Sequence, residues 1–103
     1  MRIPLLLAAA LAGFPLVSPA QTPEALYLRG LAATCADCHG TDGRPAPGST
    51  LPELAGMPMP YMLQQLREFR EGSRPATVMN QIARGFTDAQ LQGLAAFFAA
   101  QLK

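Results

Sequence analysis

The run Cys35-Ala36-Asp37-Cys38-His39 places the strongest constraint on what this chain can fold into. On a helical turn, residues three and four apart are neighbours, so the two thiols and the imidazole lie on one face. The chain of 103 residues has only these two cysteines and this one histidine. The chemistry of this cluster must therefore be complete with three side chains, or take further ligands from other residue types.

Four kinds of site can be built from two cysteines and a histidine at this spacing. C-x-x-C-H is the attachment signature of c-type haem, in which the thiols add to two vinyl groups and the imidazole lies under the iron. A redox dithiol expects a βαβ pattern nearby, which the sequence lacks. A zinc site needs four ligands, so a carboxylate would have to join. A disulfide would close a very small loop and stabilise little. We therefore expect one covalent haem c.

The first twenty residues carry a different pattern from the rest of the chain. Arg2 is a short positive start, an apolar run of about 15 residues follows, and Ser18-Pro19-Ala20 resembles a cleavage site. A helix that spans a bilayer needs roughly 20 apolar residues. The pattern predicts a signal peptide over residues 1–20, cleaved after about Ala20, and an exported, periplasmic domain over residues 21–103. An uncleaved membrane anchor is the alternative.

The segment 21–103 is short and balanced in charge. Of the eight Lys and Arg residues, Arg2 lies in the predicted leader, which leaves seven against the seven Asp and Glu residues. No basic face for nucleic acid is indicated, and stable membrane insertion is not expected. A domain of this size builds only a weak core from its own side chains. A large covalent cofactor would supply the missing apolar surface.

Two helices and a long loop are predicted in the first half of this segment. Thr22-Pro23-Glu24 is a helix start, and the helix is expected to continue to about Cys35 or His39. Its inward residues are predicted to be Leu26, Leu31 and Ala32. Nine of residues 40–60 are glycine or proline, which predicts a loop that wraps a ligand. A second helix is expected over residues 60–71, ended by Gly72, with Met62, Leu66 and Phe69 on its apolar face.

Two further helices are predicted towards the carboxyl end. A short helix is expected over residues 76–84, with Val78, Met79 and Ile82 as its apolar residues. The last helix has the clearest start, because Thr87 and Gln90 form a capping box and Phe86 can pack onto Leu91. Its apolar face is predicted to comprise Leu91, Leu94, Ala95, Phe98 and Leu102. The sequence thus predicts an all-α fold of about four helices around one haem.

An iron held by His39 takes a sixth ligand from elsewhere in the chain. There is no second histidine, and the only lysine is the terminal Lys103. Methionine sulfur is therefore the favoured ligand. Met62 lies on a helix face, where methionine more often packs than ligates. Met79 is preferred because the chain there can cross to the other face of the haem, and the rivals are Met57 and Met59.

Three stretches together carry a resemblance to a known family: "LAATCADCHGTDG" (31–43), "LPELAG" (51–56) and "YMLQQLREFREGSRPATVMNQIARGFTDAQLQGLAAFF" (61–98). They resemble the small monohaem class I cytochromes c of the c4/c553 type, and especially the cytochrome subunit of flavocytochrome c sulfide dehydrogenases. The run "FREGSRPATVM" with "IARGFTDAQL" is the more specific part. The resemblance covers nearly all of residues 21–103.

The resemblance implies a role for each of several residues. It makes Cys35 and Cys38 the thioether attachments, His39 the proximal iron ligand and Met79 the distal one. It also implies that the Pro52 carbonyl accepts a hydrogen bond from the histidine Nδ1. Leu94 and Phe98 would pack on the haem, and Phe97 would pack near Gly30 and Leu31 where the first and last helices cross. One departure is Met57, where relatives often have glutamine, and it adds a rival ligand.

The implied function is transfer of single electrons by an exported cytochrome that is not catalytic alone. In its sharper form the chain is the haem subunit that accepts electrons from a sulfide-oxidising FAD flavoprotein and passes them to a soluble acceptor. The alternative is a free-standing carrier cytochrome for another oxidoreductase or an oxidase. A haem sensor that opens its iron by losing Met79 is a third hypothesis. Arg74 and Tyr61 are candidates for contact with a haem propionate.

Overall fold

The computed structural model describes residues 18–103, together with Gly13 and Pro15. The predicted leader therefore lies almost wholly outside the described residues. Five α-helices follow: α1 Pro23–Ala33, α2 Ala36–His39, α3 Met59–Glu71, α4 Met79–Arg84 and α5 Asp88–Ala99. No strand occurs within the described ranges, so the all-α prediction is confirmed, with one more helix than the four expected. No helix in that part of the chain has the length and apolarity needed to cross a bilayer.

The first predicted helix is interrupted just before the cysteines. Its start is as expected, because Thr22 Oγ1 accepts a hydrogen bond from Ala25 N at 3.1 Å. The predicted end at Cys35 or His39 is wrong, because α1 stops at Ala33. The Thr34 hydroxyl donates to the Leu31 carbonyl at 2.7 Å, and this local bond competes with regular helix geometry. Cys35 thus lies between the two helices and is the N-terminal capping residue of a separate single turn, α2.

The inward residues of α1 are only partly as predicted. Ala32 is buried and Leu31 is half-buried, but Leu26 is 52% exposed, so its predicted place in the core is wrong. Phe97 lines a groove between α1 and α5 with Leu28. Phe97 and Leu31 both pack against the buried core, and a Cβ on Gly30 would meet no other part of the fold within 4 Å, so the packing of Phe97 near Gly30 and Leu31 stays a prediction. α1 and α5 approach closely at Gly93, whose hydrogen faces the Leu28 side chain.

In the second half of the fold, α3 ends as predicted and α4 begins later than predicted. α3 ends at Gly72, which takes the left-handed conformation expected of a helix-ending glycine. α4 begins at Met79, three residues later than predicted. Residues 76–78 are held outside the helix because the Asn80 side chain bonds back to the Arg74 carbonyl at 2.8 Å.

The last helix, α5, is capped as predicted and supplies most of the core. Both hydrogen bonds of the capping box are present between Thr87 and Gln90. The helix stops at Ala99, so the prediction that Leu102 continues its apolar face is wrong, and Leu102 is 80% exposed. Its buried face is Leu91, Leu94, Ala95 and Phe98. α5 packs on both α1 and α3, and it therefore links the first helix to the second half of the domain.

Candidate haem site

A cavity of about 450 Å³ lies between the loop and the helices α2 to α5. All seven residues predicted for cofactor binding line it, although they are spread over more than sixty positions of the chain. They are Cys35, Cys38, His39, Pro52, Met79, Leu94 and Phe98. The fold thus brings the predicted site residues to one place.

The wall of the cavity also contains residues beyond these seven. The predicted apolar face of α3, with Met62, Leu66 and Phe69, forms one side. Leu51 and Leu54 come from the loop on either side of Pro52, as the wrapping prediction for this loop requires. Gln65 was missed, because a single polar residue on an apolar helix face gives no recognisable signal. The remaining residues are Thr34, Met57, Tyr61, Val78 and Ile82.

His39 is held in one orientation at the end of α2. Its side chain is buried, with 8% exposed, and its Nδ1 lies 2.9 Å from the Pro52 carbonyl oxygen. A carbonyl only accepts, so Nδ1 carries the proton and donates. The lone pair of a neutral imidazole is then on Nε2, where a metal can bind it. The hydrogen bond that the family resemblance implied is therefore present, and it prepares His39 as a ligand.

The two cysteines are not bonded to each other. Cys35 is half-buried and Cys38 is exposed. Burial raises the pKa of the Cys35 thiol above its usual value, a hydrogen bond with Thr34 opposes this effect, and the nearby Cys38 adds to it. A redox dithiol instead needs a thiol whose pKa is lowered, because the thiolate is the reactive species. The surroundings of Cys35 therefore do not favour a redox dithiol.

The four methionines of residues 21–103 differ in their relation to the cavity. Met79 is half-buried, is the first residue of α4 and lines the cavity. Met57 is also half-buried and lines it. Met62 lines it as part of the buried core cluster, with 3% exposed. Met59 packs against that cluster and does not reach the cavity wall. Met57 is thus the rival to Met79 that the geometry retains.

The residues of the cavity fit a haem. The wall is largely apolar, as the porphyrin requires, and Cys35, Cys38 and His39 all line it. Tyr61 and Gln65 are one helical turn apart on α3 and bring polar groups to the wall, where a propionate needs them. Arg74 is engaged elsewhere: it pairs with Glu68 at 2.9 Å and lies 5.9 Å from the centre of the Phe69 ring.

Within residues 18–103, no group of three or more His, Cys, Asp or Glu side chains is placed to hold a metal ion.

The sequence between residues 29 and 101 matches the family model named Cytochrome c. The chain belongs to the cytochrome c family. As a member of that family it carries a covalent haem c, and the Cys35–Cys38 pair fits the attachment motif. It is a cytochrome c electron carrier.

Individual relatives of this cytochrome c differ in how much of their length is shared. The "Cytochrome subunit of sulfide dehydrogenase" of Chlorobaculum tepidum is 38% identical over an alignment of 100 residues that covers 92% of this chain and 88% of that one. "Cytochrome c-552" of Acidithiobacillus ferridurans is 45% identical over 65 residues, 63% of this chain and 27% of the relative. The "Thiosulfate dehydrogenase electron acceptor" of Thiomonas intermedia is 40% identical over 68 residues, 66% of this chain and 31% of the relative.

A solved structure shares the fold. Cytochrome c4 of Acidithiobacillus ferrooxidans superposes with a TM-score of 0.67 and 33% sequence identity, over 80% of this chain and 52% of that one. This cytochrome c therefore spans about half of the c4 chain, and less than a third of the c-552 and thiosulfate dehydrogenase acceptor proteins.

Proposed function

We propose that this cytochrome c is the haem subunit of a sulfide-oxidising flavocytochrome, and that it takes electrons singly from an FAD flavoprotein subunit. The supporting observation is the similarity to a sulfide dehydrogenase cytochrome subunit over 92% of this chain and 88% of the relative. Similarity over nearly the whole of both chains favours a shared role more than similarity to one part of a longer protein. A soluble acceptor would then receive the electrons.

In this proposal His39 and Met79 would be the two protein ligands of the iron. The bound haem would supply a one-electron couple, whose potential is raised by histidine and methionine ligation in cytochromes c. The Pro52 carbonyl accepts from His39 Nδ1 and so leaves Nε2 as the nitrogen that would bind the iron. Leu94, Phe98 and the α3 face line the cavity and would limit the access of water to the haem. Two protein ligands would leave the iron no open position for a substrate, which favours electron transfer over catalysis.

We also propose that the chain is exported and works in the periplasm. Arg2, the apolar run and Ser18-Pro19-Ala20 support a cleaved signal peptide. Sequencing the amino terminus of the purified holoprotein tests this proposal, and the expected first residue is Gln21. A protein that begins at Met1 would contradict it and favour the membrane anchor.

A free-standing electron carrier is the second candidate function. It is favoured by the similarity to a relative named as a thiosulfate dehydrogenase electron acceptor. In that case, the chain would serve an oxidoreductase without staying bound to it. The haem sensor hypothesis makes a different prediction, since the reduced native protein would then bind carbon monoxide.

The experiment that separates these functions is affinity purification of the tagged protein from its native host, followed by an absorption spectrum. The subunit proposal expects flavin and haem c in one complex, with the haem reduced when sulfide is added. The Met79→Ala variant is the matched control, which should copurify with the flavoprotein but be reduced less completely. Haem c alone, unreduced by sulfide, would contradict the proposal and favour the free carrier.

A further inference from the structure

The start of α4 carries Met79 but has little local support. α4 has only six residues, and a helix this short is unstable by itself. Its capping residue Val78 makes no side-chain capping bond. The position of Met79 therefore depends on bonds between α4 and the rest of the domain.

Asn80, the next residue, supplies two such bonds. Its Nδ2 group donates to the Phe69 carbonyl at 3.0 Å and to the Arg74 carbonyl at 2.8 Å. Carbonyls only accept, so the orientation of the amide is determined, and both of its N–H groups are used. Asn80 is half-buried, which strengthens these bonds relative to solvent-exposed ones.

One acceptor precedes the segment that leads to Met79, and the other lies within it. Phe69 is in the last turn of α3, its carbonyl also accepts from Gly72 N at 3.3 Å, and its side chain lines the haem cavity. Arg74 lies within the non-helical segment that runs from Gly72 to Val78. Asn80 thus closes the short loop 74–80 and joins it to the wall of the cavity.

We propose that Asn80 is a positioning residue for Met79, and that its two hydrogen bonds set how strongly the methionine sulfur holds the haem iron. This inference rests on the proposed role of Met79 as the distal ligand. Without the bonds of Asn80, the first turn of α4 moves relative to α3, and the sulfur spends more time away from the iron. A competing ligand then displaces it more easily.

The test is an imidazole titration of the ferric holoprotein. Displacement of the sulfur is measured as the loss of the sulfur-to-iron charge-transfer band. If the two hydrogen bonds are of ordinary strength, imidazole should displace the Met79 sulfur in Asn80→Ala and in Asn80→Asp at a roughly tenfold lower concentration than in the wild type. Asparagine to aspartate keeps the size but removes both donors. The exposed neighbour Gln81, substituted as Gln81→Ala, is the control and should match the wild type.

A purely structural role for Asn80 gives a different result. Asn80→Ala would then lower the thermal unfolding midpoint while imidazole displaced Met79 at the wild-type concentration, and this would overturn the proposal. If Asn80→Ala does not accumulate, Asn80→Ser, which retains one donor, should show an intermediate shift. A wild-type protein without the band would refute the Met79 ligation itself, which is a separate and recognisable failure.

Discussion

At the scale of single residues, the site depends on how two side chains are oriented by carbonyl oxygens. The Pro52 carbonyl fixes the protonated nitrogen of His39, and the Phe69 and Arg74 carbonyls fix Asn80 beside Met79. Because a carbonyl only accepts, each bond determines which side-chain nitrogen donates, and the bond to His39 leaves Nε2 free. Backbone carbonyls therefore orient His39 and the residue next to Met79.

Replacing Met79 by alanine is the residue-scale prediction. The thioether bonds and His39 are unaffected, so we expect the haem to stay attached, with the sulfur-to-iron band abolished and the reduction potential lowered. Met57→Leu is the matched control, because Met57 also lines the cavity. Optical spectra and redox titration of both variants measure this. A band that survives in Met79→Ala and disappears in Met57→Leu would assign the ligand to Met57.

Part of the site was predictable from the residues and part was not. The spacing of Cys35, Cys38 and His39 indicates haem attachment without further information. Met79 was preferred over Met57 and Met59 by its position along the chain, and the family resemblance then supported that choice. The contact of Pro52 came from the resemblance alone, since neither spacing nor composition specifies it. Asn80 gave no signal, because its role depends on where the Phe69 and Arg74 carbonyls lie in the folded chain.

At the scale of elements, the domain is held by contacts that join its loop and helices. The Gly43 carbonyl accepts from Leu54 N at 2.8 Å and from Ala55 N at 3.2 Å, and this closes the loop over α5. Arg67 on α3 holds Asp88 of α5 through two bonds of 2.8 Å. Helix starts with side-chain caps were predictable, whereas the end of α1 and the start of α4 follow from tertiary or side-chain bonds that the sequence pattern does not show.

The Gly43→Ala substitution tests the closure of the loop. Gly43 has φ of 79°, and an added Cβ would lie 2.8 Å from Leu54 Cβ and 2.9 Å from Ala55 N. Left-handed strain and overpacking together predict a loss of about 2–4 kcal/mol in the free energy of unfolding. Gly48→Ala is the control, since Gly48 has φ of 83° and open space around it. Equal losses in urea unfolding of the two variants would contradict the packing argument.

The ion pair between α3 and α5 predicts a dependence of stability on pH. Hydrogen bonds from Arg67, then Gln92, hold the pKa of Asp88 well below its usual range. A carboxyl with a lowered pKa in the folded state stabilises the fold above its unfolded pKa and loses this effect as pH falls. We therefore expect Asp88→Asn to be less stable than the wild type at neutral pH, with the difference closing in strong acid.

Urea unfolding at a series of pH values measures this difference. The exposed loop residue Glu53, as Glu53→Gln, provides a control with the same change of charge. A difference between wild type and Asp88→Asn that stays constant from neutral to acid pH would contradict the assigned role of the carboxylate.

At the scale of the whole molecule, the protein side chains alone build a small core. Among residues 18–103, four of the eight buried apolar residues are alanines, which bury little surface each. A largely apolar surface faces the haem cavity. The sequence suggested this arrangement through a short chain with a long loop rich in glycine and proline, and only the folded structure shows which residues meet around the cavity.

Loss of haem attachment should therefore cost the fold. We expect the double variant Cys35→Ser, Cys38→Ser to give little folded protein, because the haem supplies apolar surface that the loop and α3 enclose. Circular dichroism and the yield of compact protein by gel filtration measure this. Asp37→Asn, an exposed change between the two cysteines, should leave attachment and folding unchanged. A well-folded, haem-free double variant would show that the core suffices without the cofactor.

The central claim is that one imidazole nitrogen and one methionine sulfur hold the iron of the covalent haem. Iron K-edge X-ray absorption of the purified ferric protein measures the ligands of the iron directly. We predict one sulfur beside five nitrogens, four from the porphyrin and one from His39. An iron surrounded by nitrogen and oxygen only, with no sulfur neighbour, would contradict the account.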